Sequence, residues 1–164
     1  MKIMRALAIG LVGSLALLAA APADASSKPK HEVVEVYHQA VSPISVAGSG
    51  IGTVRTFFAP IAIDGMSAEG QYFTGTLTTL AQGLKGDMEI RSSNLIFVMG
   101  DEADQLVVGG ISLYPSAGAT LAPGARTVRP VLGGSGDYKG ARGQVVSTNL
   151  GANGWTHVFD ITLP

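Results

Sequence analysis

The sequence predicts an all-β protein, a single eight-stranded antiparallel barrel closed on itself and preceded by a signal peptide. Three observations lead there. Beyond residue 25 apolar residues alternate with period two, and no window of helical length carries the 3.6-residue period. Glycines, 22 of the 164 residues, and Asp-Gly or Asn-Gly pairs punctuate the chain at strand-length intervals. About eight consecutive strands with short connections must stack as two sheets or close, and closure removes the edges that would template aggregation.

The leader comes first. Met1–Arg5 holds Lys2 and Arg5, residues 6–23 hold no charge, and Ala23-Asp24-Ala25 is a small-x-small cleavage site ahead of Ser26. Its apolar core of about sixteen residues is short for a bilayer span and ends without a basic stop-transfer cluster. The expected organisation is a signal peptide over 1–25, a polar linker over 26–30 and the barrel domain over 31–164, exported to a periplasmic or extracellular location. Removing 25 of 164 residues leaves 139, with nine basic and eleven acidic side chains and a formal charge of −2. That balance offers no basic face for phosphates, so no nucleic-acid partner is expected. No second apolar run reaches bilayer length, so no integral membrane segment is expected after cleavage. The lack of cysteine excludes disulfides, thiolate metal sites and a lipid-modified N-terminal Cys. The core alone must hold the domain, which is feasible because a chain of this size buries roughly two-thirds of its unfolded surface.

The first strand runs through Val33, Val34, Val36 and Tyr37, with His31, Val33, Glu35 and Tyr37 on one face and Glu32, Val34, Val36 and His38 on the other. After a turn at residues 48–52 a strand covers Thr53–Phe58. Pro60, lacking a ladder N–H, marks a bulge or strand end before Ile61–Ile63 and the Asp64-Gly65 turn. Gln71–Leu80 and Asp87–Met99 follow, then a charged turn over 100–104 and the strand Gln105–Tyr114. Pro115–Pro123 is a loop of small residues. Thr127–Leu132, Gln144–Leu150 and Trp155–Leu163 complete the set, with Asn153-Gly154 as the last hairpin turn. Gly75, Gly83, Gly86, Gly109, Gly110 and Gly133 fall in or beside strands, where a bent barrel needs residues without Cβ.

An eight-stranded barrel is either filled by side chains or holds one small ligand, so function turns on what points inward. His31, His38 and His157 stand far apart in sequence and not at ligand spacing, so no metal is expected. The glycine run from Gly134 to Gly140 has Lys139 where a dinucleotide fingerprint needs its third glycine, and no helix follows to hold a phosphate. No serine sits in a Gly-x-Ser-x-Gly elbow. Asp101, Glu102 and Asp104 lack the regular oxygen spacing of a calcium loop and read as a hairpin tip. Arg55, Arg91 and Arg129 lie on strands; they could line a cavity, but an outward orientation is the commoner place for charge and is the expectation.

The segment Gly133-Gly134-Ser135-Gly136-Asp137-Tyr138-Lys139-Gly140-Ala141-Arg142-Gly143 is the most distinctive. It resembles the turn signature of dirigent proteins and the related allene oxide cyclase-like barrels, Gly-Gly-Thr-Gly, an acidic or basic residue, an aromatic, two residues, then Ala-Arg-Gly. Gly70–Leu77 and the closing Thr156–Asp160 fit the same pattern, and the resemblance spans roughly Val33 to Leu163. It implies an eight-stranded antiparallel barrel with an apolar cavity, often oligomeric, that binds a small hydrophobic molecule. It further implies guidance of cyclisation or stereoselective coupling without a cofactor, by holding a reactive intermediate in one conformer.

Carried over residue by residue, Asp137 and Arg142 match as catalytic candidates and Tyr138 takes the aromatic position. Tyr37 and Gln39 join it as ligand-binding candidates from the first strand. There the family pattern ends in His-Asp, whereas this chain reads Tyr37-His38-Gln39, and a neutral amide cannot act as a general acid. Binding therefore stands ahead of turnover, with the Asp137–Arg142 pair also readable as a turn-stabilising contact. The alternative is a non-catalytic surface or assembly protein that self-associates, its barrel filled by Tyr37, Phe57, Phe73, Phe97 and Trp155. Cleavage after Ala25 is directly testable: N-terminal sequencing of protein recovered outside the cytoplasm should begin at Ser26, and intact Met1 in a membrane fraction would contradict it.

Overall fold

The computed structural model describes residues 28–115 and 120–164. The expected signal peptide and its cleavage site lie outside the described residues. The described chain forms nine strands: β1 (Lys30–His38), β2 (Ser45–Ala47), β3 (Val54–Ile63), β4 (Met66–Leu84), β5 (Met88–Val98), β6 (Gln105–Pro115), β7 (Arg126–Gly134), β8 (Arg142–Asn149) and β9 (Trp155–Leu163). All pairings are antiparallel, in the order β1-β9-β8-β7-β6-β5-β4-β3-β2, and β1 also pairs with β3. Eight strands thus close into a barrel, and β2 adds a short flap on β3 through Val46↔Arg55 and its two neighbours.

The closure seam is thin. β1 meets β9 along its whole length, from Lys30↔Leu163 to His38↔Trp155, but meets β3 only at Val36↔Ile63 and Tyr37↔Ala62. The bulge expected at Pro60 is present as a register shift between Pro60 and Ala62. The strand β4 is longer than its sequence pattern suggested, running from Met66, and β2 was not anticipated.

Alternation sorts the side chains. Val34 and Val36, Ala59 and Ile61, Leu95 and Phe97, Leu106 and Val108, and Phe159 and Ile161 point into one buried cluster with Phe73, Val131 and Val145. Phe97 and Phe159 pack edge to face with centroids 5.0 Å apart, a favoured geometry for aromatic quadrupoles. This cluster fills the half of the barrel where β1 begins. The Gly133–Gly143 segment closes that end. A 3-10 turn at Gly136–Tyr138 tucks Tyr138 against the core, Ala141 is fully buried, and the Asp104 carboxylate accepts the Asp137 N–H at 2.9 Å.

Tight strand bending is visible at two glycines. Gly75 on β4 (φ +150°) and Gly143 on β8 (φ +147°) would place a Cβ 2.2 Å from the Asn94 carbonyl oxygen and 2.1 Å from the Asp160 carbonyl oxygen. Gly52 (φ +87°) has open space around the same position. Gly52→Ala should therefore cost only about 1–2 kcal/mol for its left-handed backbone. Gly143→Ala, which adds a backbone clash, should cost more than about 3 kcal/mol or prevent folding. Equal denaturant midpoints for the two variants would contradict this account of the bend.

Candidate functional site

The inward face changes chemistry halfway along the barrel. On β5 the inward series Phe97, Leu95 continues as Ser93, Arg91, Glu89, and on β3 Ile61, Ala59, Phe57 ends in Arg55. Val131 is followed inward by Arg129 and Thr127, Val145 by Ser147 and Asn149, Phe159 by His157, and Val36 by His38. The outward placement expected for Arg55, Arg91 and Arg129 is thus corrected: all three are buried, 8%, 2% and 3% exposed. Each lies two or four residues from a core side chain on its strand, so the pleat directs it to the same face.

Burial of charge is made possible by a hydrogen-bonded network. Glu89 is fully buried and its Oε1 accepts from the Nε of Arg91, with the Arg91 Nη2 alongside it. The Arg55 Nη2 lies 3.7 Å from the same oxygen, and Gln82 donates to Oε2 at 3.0 Å. Burial alone would raise the Glu89 pKa, but the Gln82 and Arg91 hydrogen bonds and the Arg91 and Arg55 charges outweigh it and hold the carboxyl below its ordinary value. Arg55 also donates to Thr79 Oγ1 at 2.9 Å. The Arg91 guanidinium sits over the Tyr114 ring, 4.3 Å from its centroid, a cation–π contact. Arg129 donates to three hydroxyls: Ser93 at 2.8 Å, Thr127 at 2.5 Å and Tyr114 at 2.8 Å.

Two imidazoles share this half of the barrel. His38 and His157 stack with centroids 5.1 Å apart, brought together by the β1–β9 pairing, and His38 stacks on Phe73 at 4.5 Å. The His38 Nδ1 faces the Gln39 carbonyl at 2.6 Å. A carbonyl can only accept, so Nδ1 carries the proton and the Nε2 of neutral His38 keeps its lone pair. Burial lowers the His38 pKa, partly opposed by that carbonyl. Burial, then the nearby His38 and Arg129, push His157 well below its ordinary value. Its Nδ1 pairs with Ser147 Oγ at 2.8 Å, whereas Nε2 is buried without a partner among the described residues.

Arg55, Arg91, Arg129, Tyr114, Ser147 and the two imidazoles wall a cavity of about 120 Å³ beside the filled core, with Leu77, Leu95, Phe57, Phe73 and Trp155 supplying its apolar surface. Val41 and Pro43, between β1 and β2, and Thr120, before β7, stand at its rim. The expectation from the sequence was an apolar wall; three arginines stand on it as well. Among the described residues no group of three His, Asp or Glu is placed to hold a metal ion. Among the described residues no helix is long and apolar enough to cross a membrane.

The residues singled out from the sequence lie elsewhere. Asp137 and Tyr138 border a separate hollow of about 420 Å³, with Lys30 and Lys139, at the far end of the barrel. Asp137 is exposed and forms no ion pair with Arg142 among the described residues. Arg142 instead donates to the Leu132 and Ala141 carbonyls at 3.1 and 2.7 Å, pinning the turn. Tyr37 and Gln39 line an outer groove of about 450 Å³ beside the seam, with Phe58 and Pro60. Only their neighbour His38 borders both that groove and the interior cavity together with Val41.

No family model matches the chain, and no curated protein does. Solved structures do. A pyocyanin demethylase superposes with a TM-score of 0.54 at 14% identity, covering 80% of this chain and 99% of that one. A pterocarpan synthase dirigent protein superposes with a TM-score of 0.51 at 14% identity, covering 90% and 97%. The fold is the dirigent-type barrel. At this identity the likeness concerns the path of the chain, so the chemistry of this dirigent-type barrel must be read from its own side chains.

Those side chains set a pH dependence. The folded pKa values of His38 and His157 lie below the ordinary 6.5, so on acidification the unfolded chain takes up protons that the folded chain does not. Stability is full above about pH 6.5 and is lost as pH falls below it. Glu89, lowered from 4.5, adds a loss of the same sign only below that value. Melting temperature should therefore fall between pH 7 and pH 5, and His157→Gln should flatten the slope. An unchanged slope in the variant would contradict the assignment.

Proposed function

We propose that this barrel binds a small, largely hydrophobic molecule in its interior cavity and promotes a cofactor-independent rearrangement of it, such as ring closure or isomerisation. One observation carries the reading: a filled apolar core occupies one half of the interior, and a cavity walled by aromatic rings and hydrogen-bonded polar groups occupies the other. Protein interiors are normally close-packed, so an open cavity beside a filled core is the default place for a ligand. His38 supplies the chemistry. Its Nε2 lone pair, fixed by the Nδ1–H bond to Gln39, accepts a proton from the bound molecule and returns it to another atom, leaving protein and proton count unchanged. This role does not need an acid at position 39. The Gly133–Gly143 turn, with Asp137, Tyr138 and Arg142, then serves as the closed floor that keeps the opposite end dry.

The export expected from residues 1–25 and the possible homo-oligomer belong to the same proposal, since a ligand-binding barrel of this kind would work outside the cytoplasm. The self-associating alternative with a filled interior has less support: Phe73 and Phe97 do fill the apolar half, but a cavity bordered by Phe57, Phe73 and Trp155 stays open beside them.

The test is an NMR titration with p-cresol, a neutral single-ring probe. Amide signals of Leu77 and Tyr114 and the Trp155 indole should shift on binding. Leu77→Trp, which fills the cavity from its apolar wall, should abolish those shifts while the barrel remains folded. Absence of any shift at these residues in the unaltered protein, with p-cresol and with a single-ring acid alike, would overturn the reading.

A further inference from the structure

We propose that the molecule bound in the cavity is an anion, a single-ring aromatic acid whose carboxylate is received by Arg129 and Arg55 while its ring packs against Leu77, Phe57 and Trp155. This deepens the binding reading above and rests on it. The first ground is the charge count of the wall. Arg55, Arg91 and Arg129 are all buried, and among the described residues Glu89 is the carboxylate that Arg55 approaches, whereas none lies in contact with Arg129. Glu89 is engaged by Arg91, with Arg55 farther off at 3.7 Å. Arg129 meets neutral hydroxyls only. A guanidinium buried away from counter-charge is among the most unfavourable arrangements a protein can hold, and an anion in the cavity relieves it.

The second ground is donor capacity. A guanidinium has five N–H groups in a planar fork. Arg129 uses one each on Nε, Nη1 and Nη2, leaving one N–H on each terminal nitrogen without an acceptor among the described residues. Carboxylate oxygens are the acceptors that such a fork receives best. The hydroxyls of Ser93, Thr127 and Tyr114 hold the fork in place before any ligand arrives, which lowers the ordering cost of binding.

Size limits the class. The cavity of about 120 Å³ is of the same order as an engineered cavity of ~150 Å³ that takes up benzene. A monocyclic acid is in scale, and a fused polycyclic system is not.

Isothermal titration of the folded protein with benzoate, with its neutral isostere benzamide and with p-cresol separates the possibilities. Benzoate should bind at least tenfold more tightly than benzamide, and Leu77→Trp should remove that binding. Arg129→Gln should erase the preference for acid over amide, and Arg55→Gln should reduce it, with circular dichroism confirming that each variant folds. Should Arg129→Gln fail to fold, the acid-to-amide ratio in the unaltered protein decides alone. Benzamide or p-cresol binding as tightly as benzoate would overturn the anion proposal and leave the binding cavity standing. Benzoate binding that survives Leu77→Trp lies elsewhere on the surface and would also overturn it. If none of the three probes binds, both the proposal and the binding reading fall.

Discussion

The architecture depends on a buried carboxylate. Glu89 is fully enclosed and is contacted by Gln82 and Arg91, with Arg55 nearby, side chains carried by three different strands of the barrel wall. Both guanidinium groups approach the same Glu89 oxygen, and burial, then the proximity of Arg91, lowers the pKa of Arg55. Breaking a buried pair by removing one partner typically costs about 3–5 kcal/mol, a large share of the stability of a domain this size. That cost is tolerable because the other half of the interior is tightly packed hydrocarbon, with Val36, Phe97, Leu106 and Phe159 wholly removed from water.

This division of the barrel lengthwise separates stability from chemistry. The apolar half, closed by the Gly133–Gly143 turn, provides the burial. The polar half carries His38, Arg55, Glu89 and His157, whose protonation burial and neighbouring charges perturb, a property that marks functional positions in general. The thin seam between β1 and β3 lies alongside. It pairs through Val36↔Ile63 and Tyr37↔Ala62, and His38, two residues beyond the first of these pairs, borders both the cavity and the outer groove.

Much of the fold was legible because a closed barrel writes itself in period-two alternation and in glycines at bends. The β1 faces, the Pro60 bulge, the final strand Trp155–Leu163 and the antiparallel closure follow from those signals. The strand β2 was not legible: Ser45, Val46 and Ala47 are all exposed and pair with β3 alone, so no burial pattern distinguishes them from a loop. The cavity wall was legible in principle and was misread. Arg91 shares the parity of Leu95 and Phe97, Arg129 that of Val131, and Arg55 that of Ala59 and Ile61. Parity outranks the general preference of charge for the surface once a strand's inward face is known. The Gly133–Gly143 motif shows the reverse case. Its residues are distinctive, but only strand register reveals that the motif and the cavity occupy opposite ends of the barrel.

Parity also explains why the site's charge and its ring-stacking surface coincide. Successive inward positions on neighbouring strands lie side by side, so the row holding Ser93 and Arg129 abuts the row holding Tyr114 and Arg91, while His157 and Trp155 follow on β9. Tyr114 faces both arginines, accepting from Arg129 through its hydroxyl and lying under Arg91 with its ring. One aromatic side chain thus fixes two cations through different parts of its structure, which sets their separation without a second carboxylate. A second carboxylate there would have lowered the positive charge of the wall further, as Glu89 already does for Arg91 and Arg55. A phenol in that place orders both arginines through its hydroxyl and its ring and adds no negative charge, the arrangement on which the proposed anion site depends.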